Sequence, residues 1–301
     1  RVFQLNNENP VRPIVNTYNT LFNGTNYLKI YEAWFGNLEY VRGVGEAVTI
    51  KADLSYQDRL PQENRDNTFW GKSKNLDKRT PNYPTELVSQ NFSRHQALIG
   101  SFTVSYRPGT KFIQLPERKI NMGSVYPLFS VSYSKGFKNL LGSDEDYDRW
   151  KFSVRDEVNL KLWGLFNYHI AAGGFLNRKH VELPDYQHFN GNQLLVATAY
   201  LNSFQLAPYY ERSTTARFYS TLHIEHHFNG ALTNKIPFIK TLNIHLIGGG
   251  NGFVVDKSNY YYEVFAGIEN ILKVFRVDYV RGYGNQGFKD QGIRIGFRGF
   301  N

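Results

Sequence analysis

The feature that most constrains this chain is a period of two carried through a long run. From Trp150 the even positions are Trp150, Phe152, Val154, Val158, Leu160 and Leu162, broken only by Asp156. The odd positions are Lys151, Ser153, Arg155, Glu157, Asn159 and Lys161. Successive side chains of a strand point to opposite faces, so the run predicts a strand with one apolar and one polar or charged face. A Trp163-Gly164-Leu165-Phe166 turn follows, and 166–177 return with a weaker form of the pattern, which makes a hairpin.

The same alternation recurs along the chain. Leu98, Gly100, Phe102, Val104 and Tyr106 share a face, as do Phe129, Val131 and Tyr133, and Ile293, Ile295 and Phe297. About twelve strands are expected, near 28–43, 46–57, 92–107, 123–136, 147–163, 164–177, 192–206, 214–228, 240–255, 259–268, 272–283 and 289–300. Several are about twice the length usual in soluble sheets. Aromatic residues stand at or near their ends, among them Trp34, Tyr106, Trp150, Trp163, Phe166 and Tyr279. Long two-faced strands ending in aromatics predict an all-β fold, an antiparallel transmembrane β-barrel of about 12–16 strands. A large soluble barrel or sandwich with one wet face is the competing reading.

Composition agrees. Aromatics make up 16% of the 301 residues, with 26 Gly and a single Met, a mixture suited to strands and turns. Mean hydropathy is −0.46, and no stretch has the apolar length of a spanning helix. The absence of cysteine excludes disulfides, thiolate metal sites and cysteine nucleophiles. The net charge of +9 comes from residues scattered among acids, as in 143–149, and no nucleic-acid motif accompanies them. One domain is expected over 1–301, with 1–25 an irregular lead segment and polar loops at 58–91, 137–148 and 178–191. The start at Arg1 is that of a mature form or of the C-terminal part of a longer chain.

Three groups of residues merit a chemical reading. His223, Glu225 and His227 share the polar face of one strand, a legitimate divalent-metal set. Neighbours at i and i+2 lie roughly 7 Å apart, however, so a hydrogen-bonded lumen patch is the preferred reading and no metal is assigned. Ser101, Ser105, Ser130, Ser132 and Ser220 lie in strands without a nucleophile-elbow sequence, so no catalytic residue or cofactor is expected. The glycines of 248–252 lack a following helix and suit a bend or close strand packing rather than phosphate binding. Arg155, Glu157, Arg217, Glu225, Arg276, Asp278, Arg294 and Arg298 are expected to face the lumen, where charges of both signs line a pore or pair across it.

Several runs resemble a known family. They are Asn16-Thr17-Tyr18-Asn19-Thr20-Leu21-Phe22, Glu117-Arg118-Lys119-Ile120-Asn121-Met122-Gly123, Tyr126-Pro127-Leu128-Phe129-Ser130-Val131, His226-His227-Phe228-Asn229-Gly230 and Gly267-Ile268-Glu269-Asn270. Together they are similar to an uncharacterised outer-membrane β-barrel family of Bacteroidota, whose members carry a carboxypeptidase-regulatory-like domain ahead of the barrel. Arg276-Val277-Asp278-Tyr279 and the closing strand are distantly similar to the barrel-assembly and two-partner-secretion transporter superfamily. The resemblance implies the cell outer membrane, lipid partners including lipopolysaccharide, and other outer-membrane or periplasmic proteins. The expected role is a structural or interaction barrel, or an anchor for a periplasmic domain. The alternative is a channel or a protein-assembly and translocation barrel.

Overall fold

The computed structural model describes residues 1–6, 8, 11–63, 82–84, 86–87, 93–117, 119–231, 233, 241–256 and 259–297. Among them twelve strands form one sheet, antiparallel throughout. In spatial order they are β1 (Val2–Gln4), β2 (Ile30–Val44), β3 (Val48–Pro61), β4 (His95–Tyr106), β7 (Leu128–Gly136), β8 (Asp146–Asn159), β9 (Leu165–His180), β10 (Tyr219–His227), β11 (His245–Val255), β12 (Asn259–Ile271), β13 (Phe275–Gly284) and β14 (Gly287–Phe297). A small hairpin of β5 (Lys111–Gln114) and β6 (Lys119–Gly123) stands apart in the β4–β7 connection. Apart from that hairpin, each strand pairs with its neighbour in sequence, and the sheet is not closed.

Pairing aligns the apolar positions into continuous rows. One row runs Ile50, Val104, Val131, Phe152, Ala172, Ser220 and Val254, each opposite the next. A second runs Val48, Tyr106, Phe129, Val154, Ile170, Leu222, Gly252, Tyr262 and Tyr283. Many of these side chains are exposed, including Tyr106, Val131, Phe152, Ile170, Leu222 and Tyr262. At the rim where β2 begins (the near rim), the apolar face gives way to charge. Beyond Tyr133 and Trp150 stand Lys135 and Asp148, paired at 2.8 Å, and Arg94 donates to Asp58 at 2.6 and 3.1 Å.

The opposite face holds the core. Across β4 and β7 it carries a ladder of hydroxyl pairs: Ser101 with Ser134, Thr103 with Ser132, and Ser105 with Ser130, at 2.9–3.0 Å. Further along the sheet this face is covered by the connection between β9 and β10, residues 181–218. Phe189, Phe204 and Ala207 from that connection pack with Tyr219, Phe253 and Tyr261 of the wall. Tyr200 and Leu206 pack with Phe265 and Val280. The glycines of β11 permit close packing, because a Cβ on Gly249 would meet the Ile224 carbonyl and the Phe265 ring.

Three expectations are corrected. Residues 192–206 are not a strand but part of the inward connection, apart from a single bridge at Val196. The lead segment is not irregular throughout: it holds β1 and the helix α1 (Pro13–Asn23), with Pro at the helix start and Gly24 left-handed at its end (φ 67°). Leu160 is not in the strand, since β8 ends at Asn159 and Leu160 begins a short 3-10 turn.

Candidate functional site

The arrangement most able to decide what this protein does is the fixing of 181–218 against the wall. An irregular segment in a dry interior must find a partner for every backbone amide and carbonyl. The wall supplies several. Glu263, in the middle of β12 and fully buried, accepts from three successive amides: Gln205 at 2.7 Å, Leu206 at 2.7 Å and Ala207 at 3.2 Å. The Tyr261 hydroxyl donates to the same carboxylate at 2.8 Å. Arg294 donates through Nε to the Gln205 carbonyl at 2.6 Å. The segment's own side-chain amides supply others: Asn192 donates to the Val196 carbonyl, and Gln205 Oε1 accepts from the Thr198 amide.

A charged network anchors Tyr200 of the segment. Its hydroxyl donates to Asp278 at 2.7 Å, and the Arg276 guanidinium lies 3.9 Å over its ring. Arg276 also donates to Asp278 at 2.7 Å and to Glu225 at 2.6 Å. Glu225 lies 2.7 Å from His227 Nε2, while His227 Nδ1 lies 2.9 Å from Glu269. This chain of alternating sign is buried or half-buried, with each charge facing an opposite one.

Where 181–218 leaves β9, a second network fixes it. Arg59 of β3 grips Asp185 with two bonds, at 2.5 and 3.2 Å, and Arg149 donates to the Asp185 carbonyl at 3.2 Å. Glu145 lies 3.6 Å from both Arg59 and His95. Burial pushes the Glu145 carboxyl up to about 10, reinforced by the Asp185 charge. Burial opposes ionisation of Asp185 as well, but Arg59 overcomes it and holds that group below the ordinary carboxylate range. His188, enclosed between Ser213 at 2.7 Å and the Leu183 carbonyl at 3.1 Å, is pushed down to about 4 by burial. It is therefore neutral at pH 7.

The sequence-selected residues divide accordingly. Glu225, Arg276, Asp278 and Arg294 belong to the inner fixings just described. Arg155 and Glu157 line a cavity of about 550 Å³ with His169 and Asn202. A second cavity of about 410 Å³ is lined by Tyr200, His227, Glu269 and Arg276. Arg217 precedes β10 and is exposed, so it does not join the inward charges. Arg298 lies outside the described residues, as do 64–81 of the long polar loop and 234–240. His223 is separated from the other two candidate ligands, with its Nδ1 3.0 Å from the Asn251 amide and its ring beside Phe204. Four of the five selected serines face a hydroxyl partner across the ladder, the fifth, Ser220, lies in an apolar row, and none is bonded to a histidine among the described contacts.

Sequence reasoning missed Arg59, Asp185, Glu145 and Glu263. The Arg59–Asp185 pair spans 126 positions, and no local pattern announces it. The Pro13 and Gly24 that bracket α1 were a usable signal.

One comparison bears on kinship. The family described as "Family of unknown function (DUF5686) C-terminal domain" matches residues 1–268. The chain belongs to that family. The matched stretch of the DUF5686 C-terminal domain includes α1, the whole inward segment and the strands through most of β12, including Glu263. No curated protein matches the chain.

Proposed function

We infer that this chain forms the wall of an outer-membrane β-barrel whose interior is filled by its own 181–218 segment. It serves as a structural or interaction component of a membrane complex, or as the anchor of a periplasmic domain. Two exposed apolar rows, each crossing at least seven strands, support the membrane setting. Soluble monomers rarely show contiguous apolar patches beyond a few hundred Å². The observation that carries the role is the fixing of 181–218 by Glu263, Arg294, Arg276 and Arg59, which holds that segment against one face of the sheet. The resemblance to Bacteroidota outer-membrane barrels points the same way. Its partners are then outer-membrane lipids, lipopolysaccharide included, and neighbouring membrane or periplasmic proteins.

The two cavities, both bordering residues at the far rim where β8 and β10 end, favour a second reading. They would be vestibules of a channel or translocation barrel from which 181–218 withdraws. Conductance in a planar bilayer separates the two. The wild-type chain is expected to be silent, and removal of 189–210 to give steady openings. Stable conductance by the wild type overturns the filled-barrel reading.

A further inference from the structure

The direction of the strands determines what can complete this sheet. Ten antiparallel pairings lead from β2 to β14, so those two strands run the same way, from the near rim to the far rim. If β2 and β14 met directly, they would pair as parallel neighbours in a sheet that is otherwise antiparallel. Their near-rim and far-rim ends are also taken. β1 lies on the start of β2, with Val2 opposite Glu32 and Gln4 opposite Ile30. Near the end of β14, Ile295 turns both backbone groups away from β13 and bonds to 195 and 197 of the inward segment, at 2.9 Å each.

Between those points β2 has a free edge over 34–44. Ala33 exchanges both backbone bonds with Arg1, at 2.8 and 2.9 Å, so the odd positions that follow present their amides and carbonyls to the same side. Among the described residues nothing pairs with them there. The edge has no proline and no bulge to blunt it, and Trp34, Leu38 and Tyr40 are exposed. Such an edge is costly in hydrocarbon, where no water can satisfy it.

We propose that this lane receives one further strand, antiparallel to both β2 and β14 and continuous with β1. The occupant is polypeptide joined to the amino side of Arg1. Arg1 is already in strand register with Ala33 and aimed along β2, so each residue added before it faces the next residue of the edge. A second copy of the chain is a poorer occupant. In one membrane all copies share an orientation, and the edges they offer, β2 and β14, point the same way. The proposal rests on the barrel reading only for what surrounds the lane. A water-soluble monomer would sink that reading, whereas an inserted protein lacking the strand contact would sink this one alone.

The native chain has no cysteine, so crosslinking can be read cleanly. A strand of alternating Val and Thr is joined to Arg1, with a cysteine at its fifth position counted back from Arg1, and paired with Leu38→Cys. The crosslinked fraction is measured in membrane-extracted protein that migrates as folded before heating. A disulfide is expected at least about tenfold more often than with Asn37→Cys or Glu39→Cys, because a one-residue slip puts the side chain on the other face. If Leu38→Cys hinders insertion, Tyr40→Cys with the seventh position gives the same reading. Crosslinks from β2 cysteines to cysteines placed along β14 would overturn the proposal. So would inserted protein without register-specific crosslinking at either pair.

Discussion

A single carboxylate, Glu263, does what a neighbouring strand does elsewhere in the sheet. It accepts three successive amides of a segment that has no ladder of its own. Hydrogen bonds to an ionised group are stronger than neutral ones, and each donor left unmet in a dry interior is costly. Glu263→Gln sets an amide NH2 against at least one of these donors. The expected loss is about 1–3 kcal/mol of docking free energy. Hydrogen exchange at the Leu206 amide should then rise about ten- to a hundredfold, each factor of ten being about 1.4 kcal/mol. Unchanged exchange would show that the segment is held without this carboxylate. Asp156, the break in the apolar run, is a related case. It sits on the apolar side of β8 but has Arg107 at 3.5 Å, so the charge is paired rather than misplaced.

At the level of elements, facing is the property most open to test. Phe152 stands in mid-strand on the exposed apolar row between Val131 and Ala172, while Ser153 faces inward opposite Ser130 and Ala171. Phe152→Arg is expected to cost about 2–4 kcal/mol if that row meets the bilayer midplane. Ser153→Arg should be tolerated far better. The comparison is made by folded yield in detergent-extracted membranes, and equal yields would refute the facing. Eleven of the expected strands match long strands of the sheet, because alternation is local and strong wherever one face is apolar. Residues 192–206 defeated the same reasoning. Their apolar content mimics a strand, yet apart from scattered backbone bonds such as those to Ile295 their partners are the side chains of Asn192, Gln205 and Glu263 rather than a continuous ladder. Nothing in the run itself tells a ladder partner from a side-chain substitute. The candidate site was half legible for the same reason: Arg276 and Asp278 lie on one strand and share a face, whereas Arg59 and Asp185 meet only through the tertiary fold.

Taken whole, the molecule is a sheet laced to its own interior, and the lacing should make its opening cooperative. Buried pairs join β3 to the start of the segment, and others join β12, β13 and β14 to its middle. In detergent the unheated protein is expected to migrate as a compact species on a gel and to shift once on heating, with no intermediate band. Two separate shifts would mean that wall and interior come apart independently. The bridge between Val196 and Ile295 adds a consequence in time. The segment is made before β10, β11, β12, β13 and β14, the strands that supply most of its fixings, and one of its anchors lies on the last of them. Such contacts between distant parts of a chain form slowly. During synthesis 181–218 therefore waits without most of its partners until the final hairpin arrives. A chain that stopped short of β14 would carry an apolar loop with part of its seat missing, held neither at Leu195 and Ala197 by Ile295 nor at Gln205 by Arg294.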